Sequence, residues 1–238
     1  MSPSDGDASP LAPGLYLVAT PIGNLGDLSQ RALQVLRSCD LLACEDTRTS
    51  GKLLSHFSIR KDLVSYHEHN EKAKAYELAD IIEDGKSVAL ISDAGTPTLS
   101  DPGFRVVREC RKRDLFVSPI PGPSAALAAL SASGLPSDRF SYRGFLPAKS
   151  AARKRFFEEI RDAEQTHIVF ESNHRILKFL DDFLEILGTD RVICVARELT
   201  KLHETIFSGP AGEVSEKVRS RSQKGEFVVV IAPADFAL

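Results

Sequence analysis

Along the chain, short apolar runs alternate with longer stretches in which apolar residues recur at helical spacing. LYLVAT (15–20), DLLACE (40–45), DLVSY (62–66), SVALIS (87–92) and LFVSPI (115–120) read as strands of a few residues. Between the first two, Leu28, Ala32, Leu33, Val35 and Leu36 fall at helical spacing, with Asp27 and Gln30 placed like a capping box. Residues 71–84 repeat the pattern before Gly85. A further helix runs to about Arg113, expected to start at Pro102 with Ser100 or Asp101 as N-cap, and an Ala-rich helix follows from Ser124. Strands that alternate with helices need crossover connections, which predicts a mostly parallel sheet.

The pattern changes after GLPSDR (134–139). RFSYRGFL, a charged helix over 149–164, THIVFES (166–172), a helix ending at Leu187, RVICVAREL (191–199), HETIFSG (203–209) and EFVVVIA (226–232) place several strands in succession without an intervening helix. This predicts a mixed or antiparallel sheet. The chain is therefore divided into a tail over 1–13, rich in Pro and Ser and expected to be disordered, an N-terminal α/β domain over 14–134 and a C-terminal α/β domain over 135–238.

With 238 residues, 42% hydrophobic and 26% charged, the composition is that of a folded globular chain with no need of a staple. The four cysteines form no CxxC pair and have no histidine at metal-ligand spacing, so they read as buried thiols in a reducing compartment. No apolar run reaches the roughly 20 residues of a membrane span, and MSPSDGDASP has no basic stretch followed by an apolar one. These features lead us to expect a cytoplasmic protein without membrane association. A net charge of −3 means that any contact with nucleic acid must come from a local patch.

Chemistry is concentrated in loops after the strands. SDAGTPTLSDPG (92–103) holds two Gly, two Pro and two Ser directly after an apolar strand, which is where open α/β sheets bind ligands. Asp93, Gly95 and Thr96 are placed for close backbone approach. PIPGPSA (119–125) ends with Ser124 near a helix N-terminus, and TPIGNLGD (20–27) follows the first strand without a GxGxxG dinucleotide pattern. CEDTRTS (44–50) offers Glu45, Asp46 and Arg48, and YHEHNE (66–71) offers His67, His69 and Asn70. An N-cap role for Asn70 and a surface ion pair of Asp46 with Arg48 fit these positions as well as catalysis does. The two histidines share a face but have no third ligand, so no metal is expected. Basic residues gather in 104–114 and in 147–155, where Lys149, Arg153 and Lys154 lie within two helical turns, as either a solvated face or a phosphate-binding surface would.

In order and spacing, TPIGNLGD, CEDTR, YHEHN, SDAGTPTLSDPG, PIPGPSA, FESNHR and ARELTK resemble the ribosomal RNA small subunit methyltransferase I family of the tetrapyrrole methylase superfamily, from Gly14 to about Pro233. The resemblance implies a two-domain class III methyltransferase fold with S-adenosylmethionine in the cleft between the domains, and a homodimer. It also implies 2′-O-methylation of a cytidine ribose in the decoding region of 16S ribosomal RNA within the small subunit. By the same resemblance, Pro21, Ala94, Gly95, Thr96, Leu99, Ser124 and Ala125 face the cofactor from the first domain, and Glu171, Leu199 and Ala232 from the second. Where tetrapyrrole C-methylating members carry a GGDP-like motif, this chain has Ala94–Pro97, AGTP. Asp46 and His69 are the candidate proton acceptors, and Arg48, Asn70, Lys149 and Arg153 the candidate RNA contacts. Two alternatives stand beside this reading: a tetrapyrrole C-methyltransferase of the same fold, and a non-catalytic module associated with the ribosome.

Overall fold

The computed structural model describes residues 11–238. Residues 1–10 of the expected tail lie outside the described residues. Its last three belong to the folded chain, since Leu11 packs against the core and Ala12 O accepts a 2.8 Å hydrogen bond from Tyr16 Oη. The chain forms two compact units that divide between Ser124 and Ala125, one helix before the expected boundary at Gly134.

In the first unit, β1 (Gly14–Val18), β2 (Leu41–Cys44), β3 (Leu63–Ser65), β4 (Ser87–Ile91) and β5 (Val117–Ile120) make a fully parallel sheet in the order β3-β2-β4-β1-β5. Four helices complete it: α1 (Gln30–Ser38), α2 (Thr47–His56), α3 (Glu71–Glu83) and α4 (Phe104–Lys112). Strand side chains alternate between two cores. Tyr16, Val18, Leu42, Cys44, Ala89 and Ile91 pack with Ala32, Val35 and Leu36 of α1 and Leu54 of α2. Leu15, Ala43, Val88 and Leu90 pack with Leu78 and Ile82 of α3 and with Val106 and Cys110 of α4. Burial on both faces is why these strands are continuous apolar runs.

Three local expectations are corrected. The first helix is capped by Ser29, whose Oγ accepts from Ala32 N at 3.1 Å, while Asp27 ends a separate 3₁₀ turn over Leu25–Asp27. The helix α4 starts at Phe104 behind Gly103, not at Pro102 behind Ser100 or Asp101. The helix α2 was not expected at all, because TRTSGKLLSH carries few apolar residues and a glycine.

In the second unit, α5 (Ala125–Ser133) precedes β6 (Phe140–Phe145), α6 (Ser150–Glu159), β7 (Thr166–Ser172), α7 (Ile176–Leu187), β8 (Val192–Arg197), β9 (Thr205–Pro210), α8 (Ala211–Arg219) and β10 (Glu226–Ile231). The sheet order is β6-β7-β10-β8-β9, with β6 parallel to β7 and the other pairs antiparallel, which is the mixed sheet expected. Val169, Ile193, Val195, Phe227, Val229 and Ile231 pack under α6, α7 and α8. The alternate residues Ile168, Cys194, Ala196, Val228 and Val230 are also buried, and α5 lies across β7 to β10. Of three phenylalanines in this unit, Phe157 is core, Phe156 packs against it, and Phe145 is 56% exposed. Among the described residues no helix is long and apolar enough to cross a membrane.

Candidate active site

All five strands of the first unit run the same way, so the segments after β1, β2, β3, β4 and β5 open on one edge of the sheet. The neighbours β1 and β4 lead to α1 and α4, which cover opposite faces, so a topological switch point, where such sheets have a crevice, lies between them. Two reciprocal hydrogen bonds tie these loops together: Thr20 N to Gly95 O at 2.9 Å and Gly95 N to Thr20 O at 3.0 Å. Gly95 has φ +86°, a conformation that favours glycine. Thr20 Oγ1 donates to Ser92 O at 3.1 Å, and Thr96 Oγ1 to Pro123 O at 3.1 Å, so the loops after β1, β4 and β5 hold one another. A cavity of about 240 Å³ opens beside them, lined by Pro21, Leu25, Ser50, Lys52, Ser92 and Asp93 among others.

The expected first-unit cofactor residues lie on these loops. Pro21 follows β1, Ala94, Gly95, Thr96 and Leu99 follow β4, and Ser124 follows β5; Ala125 opens α5. Gly95 is buried, whereas Ala94 and Leu99 are exposed. In the second unit, Glu171 and Leu199 lie toward one edge of the mixed sheet, since Glu171 and Arg197 both pair with Phe227. Ala232 follows the far end of β10, beyond Ile231, which pairs with His167 and Ile193. Ala232 is five positions beyond Phe227, about 17 Å along an extended strand. The structure brings Glu171 and Leu199 toward one edge and leaves Ala232 at the other.

Glu171 is 1% exposed. Its Oε1 is ion-paired with Arg175 Nε at 2.8 Å and accepts from Ser172 N at 2.7 Å, while Oε2 is buried without a partner among the described residues. Such an oxygen calls for a donor from outside the chain.

A group of carboxylates stands on the crevice edge of the first unit. Asp46 is the N-cap of α2, with its Oδ1 accepting from Arg48 N at 2.8 Å and its Oδ2 paired with Arg48 Nη2 at 2.8 Å. Hydrogen bonds from Arg48 pull its carboxyl down to about 2. This leaves Asp46, one of the two candidate proton acceptors, with little affinity for a proton, because the carboxylate is already satisfied by its own helix and by Arg48. Asp46 N also donates to Asp93 Oδ1 at 3.2 Å, which joins the ends of β2 and β4. Burial, then the neighbouring acids, push Glu45 upward, and burial and the Asp46 charge push Asp93 upward. Asp101 is moved most, to about 6, by burial first and then by Glu45, against a lowering interaction with Ser92. Sequence reading noticed Glu45 without assigning it a role, and took Asp101 for a helix cap.

His69 is exposed, its ring edge-on to that of His67 with centroids 5.8 Å apart. The Asn70 side chain is engaged in its own turn, accepting from His67 N at 2.9 Å and donating to Ser65 O at 3.0 Å. Lys149 is exposed at the start of α6. Arg153, expected to contact RNA, is instead 2% exposed and clamped onto Asp182, with Nε to Oδ2 at 2.8 Å. It faces the core because α6 packs on α7, and a guanidinium held there does not reach a phosphate.

The first unit is a parallel α/β sheet with a glycine at its switch point, the kind of edge at which such sheets hold small polar ligands, and the second is a mixed α/β unit with a buried carboxylate oxygen left unsatisfied among the described residues. The family model described as Tetrapyrrole (Corrin/Porphyrin) Methylases matches residues 14–215. A Vibrio cholerae protein named Ribosomal RNA small subunit methyltransferase I is 52% identical over 92% of this chain and 77% of its own length. An Escherichia coli O157:H7 protein of the same name is 50% identical over 91% and 77%. Among solved structures, a diphthine synthase aligns with TM-score 0.70 and 14% identity over 92% of this chain and 89% of its own. Uroporphyrin-III-C-methyltransferase from Thermus thermophilus aligns with TM-score 0.60 and 18% identity over 92% and 94%; these two likenesses concern the fold alone. The chain belongs to the tetrapyrrole methylase family, whose members are S-adenosylmethionine-dependent methyltransferases. The orphaned Glu171 Oε2 fits that cofactor, whose hydroxyl and ammonium groups are donors of the kind this oxygen lacks among the described residues.

Proposed function

We propose that this chain transfers the methyl of S-adenosylmethionine to the ribose 2′-hydroxyl of a cytidine in the decoding region of 16S ribosomal RNA, within the small subunit. The observation that carries the reading is 50–52% identity, over nine-tenths of the chain, to proteins named for methylation of small-subunit ribosomal RNA. The position on the RNA follows from the motif resemblance. When bound, the cofactor supplies an activated methyl on a positively charged sulfur. The chain's part is to hold the acceptor hydroxyl in line with that methyl, keep water out and take up the hydroxyl proton. The carboxylates at the crevice edge suit that last task. Arg48, Asn70 and Lys149 are the RNA contacts of this reading, and the protein works in the cytoplasm as a homodimer.

A tetrapyrrole acceptor is the second reading, favoured by the methyltransferases of similar fold and opposed by AGTP at Ala94–Pro97. Labelled cofactor offered in parallel to isolated 30S subunits, free 16S RNA and uroporphyrinogen tests both. Label in the RNA of 30S subunits supports the proposal, and label in uroporphyrinogen alone overturns it.

A further inference from the structure

We propose that the cavity in the first unit receives the base of the acceptor nucleotide, and that Ser50, Ser92 and Asp93 read the hydrogen-bonding edge of a cytosine there. This rests on the reading of the chain as a cytidine ribose 2′-O-methyltransferase and deepens it, because it assigns residues to the choice of base.

The make-up of the cavity is the first observation. Pro21 and Leu25 after β1, with Leu53 of α2, give it apolar surface, and Ser50 of α2 with Ser92 and Asp93 after β4 give it polar groups. Ser50 and Leu53 lie three positions apart and so share one side of the helix. A helix that borders a cavity needs no continuous apolar stripe, which accounts for α2 burying only Ser50 and Leu54. The volume of about 240 Å³ falls below the roughly 300–1,000 Å³ of pockets that enclose drug-sized ligands. It suits one flat ring between apolar walls and does not enclose a macrocycle.

The second observation is a set of unused hydrogen-bonding groups on its wall. Ser50 is 2% exposed and Ser92 is 3% exposed, and neither hydroxyl completes a hydrogen bond among the described residues. Cys44 beside the first and Asp101 beside the second interact without closing that geometry. Buried hydroxyls left in this way cost stability, and two on one wall call for a ligand. Asp93 adds a directed acceptor. Its Oδ1 accepts from Asp46 N at 3.2 Å, which orients the carboxylate and leaves Oδ2 without a hydrogen bond among the described residues.

Cytosine presents an amino group that donates, beside a ring nitrogen and a carbonyl oxygen that accept. One carboxylate oxygen that only accepts and two hydroxyls able to donate are the complement of that edge. Uracil has a carbonyl in place of the amino group, which would face the carboxylate and be repelled. Ser92 and Asp93 run directly into Ala94–Thr96, and Pro21 follows Thr20, which is bonded to Gly95. A base seated here therefore keeps its ribose beside the loop expected to face the cofactor. Of the residues expected at the cofactor, only Pro21 lines the cavity.

The test offers 30S subunits carrying cytidine or uridine at the acceptor position to the wild-type chain and to Asp93→Asn, Ser50→Ala and Ser92→Ala. It is read by kcat/KM at saturating cofactor, by cofactor calorimetry and by chemical denaturation. Wild type is expected to prefer cytidine by about tenfold or more. In Asp93→Asn the amide oxygen stays on Asp46 N, so its NH₂ takes the place of Oδ2 and donates. Transfer to cytidine should fall roughly 10- to 100-fold and the preference reverse toward uridine. Each alanine variant should lose about three- to tenfold on cytidine subunits yet be at least as stable as wild type, since the hydroxyl it removes bonds to nothing in the chain. A hydroxyl with a structural role would cost stability instead. Equal use of both bases by wild type, or an unchanged preference in Asp93→Asn, overturns the inference and leaves the ribose reading standing. Alanine variants that lose stability and keep their rate also overturn it. So does a cofactor affinity more than tenfold weaker in those variants with saturated transfer unchanged, which would give the cavity to the cofactor. If wild type methylates no ribose in either kind of subunit, the reading of function falls and the inference with it.

Discussion

At the scale of the residue, similar side chains are separated by what touches them. Asp46 and Asp101 are both acids beside the same sheet edge. The first accepts from its own helix and from Arg48, and its carboxyl lies near 2; the second faces other acids, and its carboxyl lies near 6. A carboxylate that weakly basic draws few protons at neutral pH, so Asp46→Asn, which keeps an N-cap side chain, should leave the saturated transfer rate within about threefold of wild type. A pair of cations shows the same separation. Lys149 is exposed and Arg153 is buried against Asp182. Arg153→Ala should destabilise the fold by about 3 kcal/mol, because it takes the guanidinium from a buried carboxylate and leaves it only Ser150 and the more distant Lys154. Lys149→Ala should unfold like wild type, and RNA binding by the folded variant should weaken with a shallower salt dependence. Denaturant titration and filter binding across salt concentrations check the two, and the reverse assignment of effects would contradict the packing described for α6.

At the scale of the element, most of the fold was legible because apolar periodicity carries it. The strands THIVFES and EFVVVI and the helix over 71–83 coincide with their patterns nearly end to end. The helix α2 was hidden because its propensity is weak and only Ser50 and Leu54 are buried, so tertiary packing and the Asp46 cap hold it. The helix α8 was passed over for a related reason: it starts directly from Pro210 of β9, where a strand–turn reading is equally natural. The 92–103 loop was picked out by its composition, but its path includes positive φ at Thr98 and Ser100, which no residue preference announces. Gly103 makes that path possible. Gly103→Ala should cost about 1–3 kcal/mol, since the new side chain meets Thr98 and Leu90 in a conformation that disfavours it. Chemical denaturation measures the loss, and a variant as stable as wild type would show that the loop adjusts freely.

At the scale of the whole molecule, the sequence motifs that pointed to the family lie largely in the loops at the strand ends. What the motifs could not supply was the division of labour among the polar residues, since that depends on which strands are neighbours. The sheet order β3-β2-β4-β1-β5 puts β2 beside β4 and so brings Glu45, Asp93 and Asp101 together across more than fifty residues of chain. The order of the second sheet likewise sets Ala232 apart from Glu171 and Leu199. The central claim is that these acids serve a ribose hydroxyl of small-subunit RNA. The most direct measurement is nuclease digestion and mass spectrometry of 16S RNA recovered from unmodified 30S subunits after incubation with the protein and labelled S-adenosylmethionine. The account predicts one labelled methyl, on the 2′-oxygen of a cytidine in the decoding region, stable to alkali as a blocked ribose. A methyl on a base, or RNA left unlabelled while a tetrapyrrole is methylated, would contradict it.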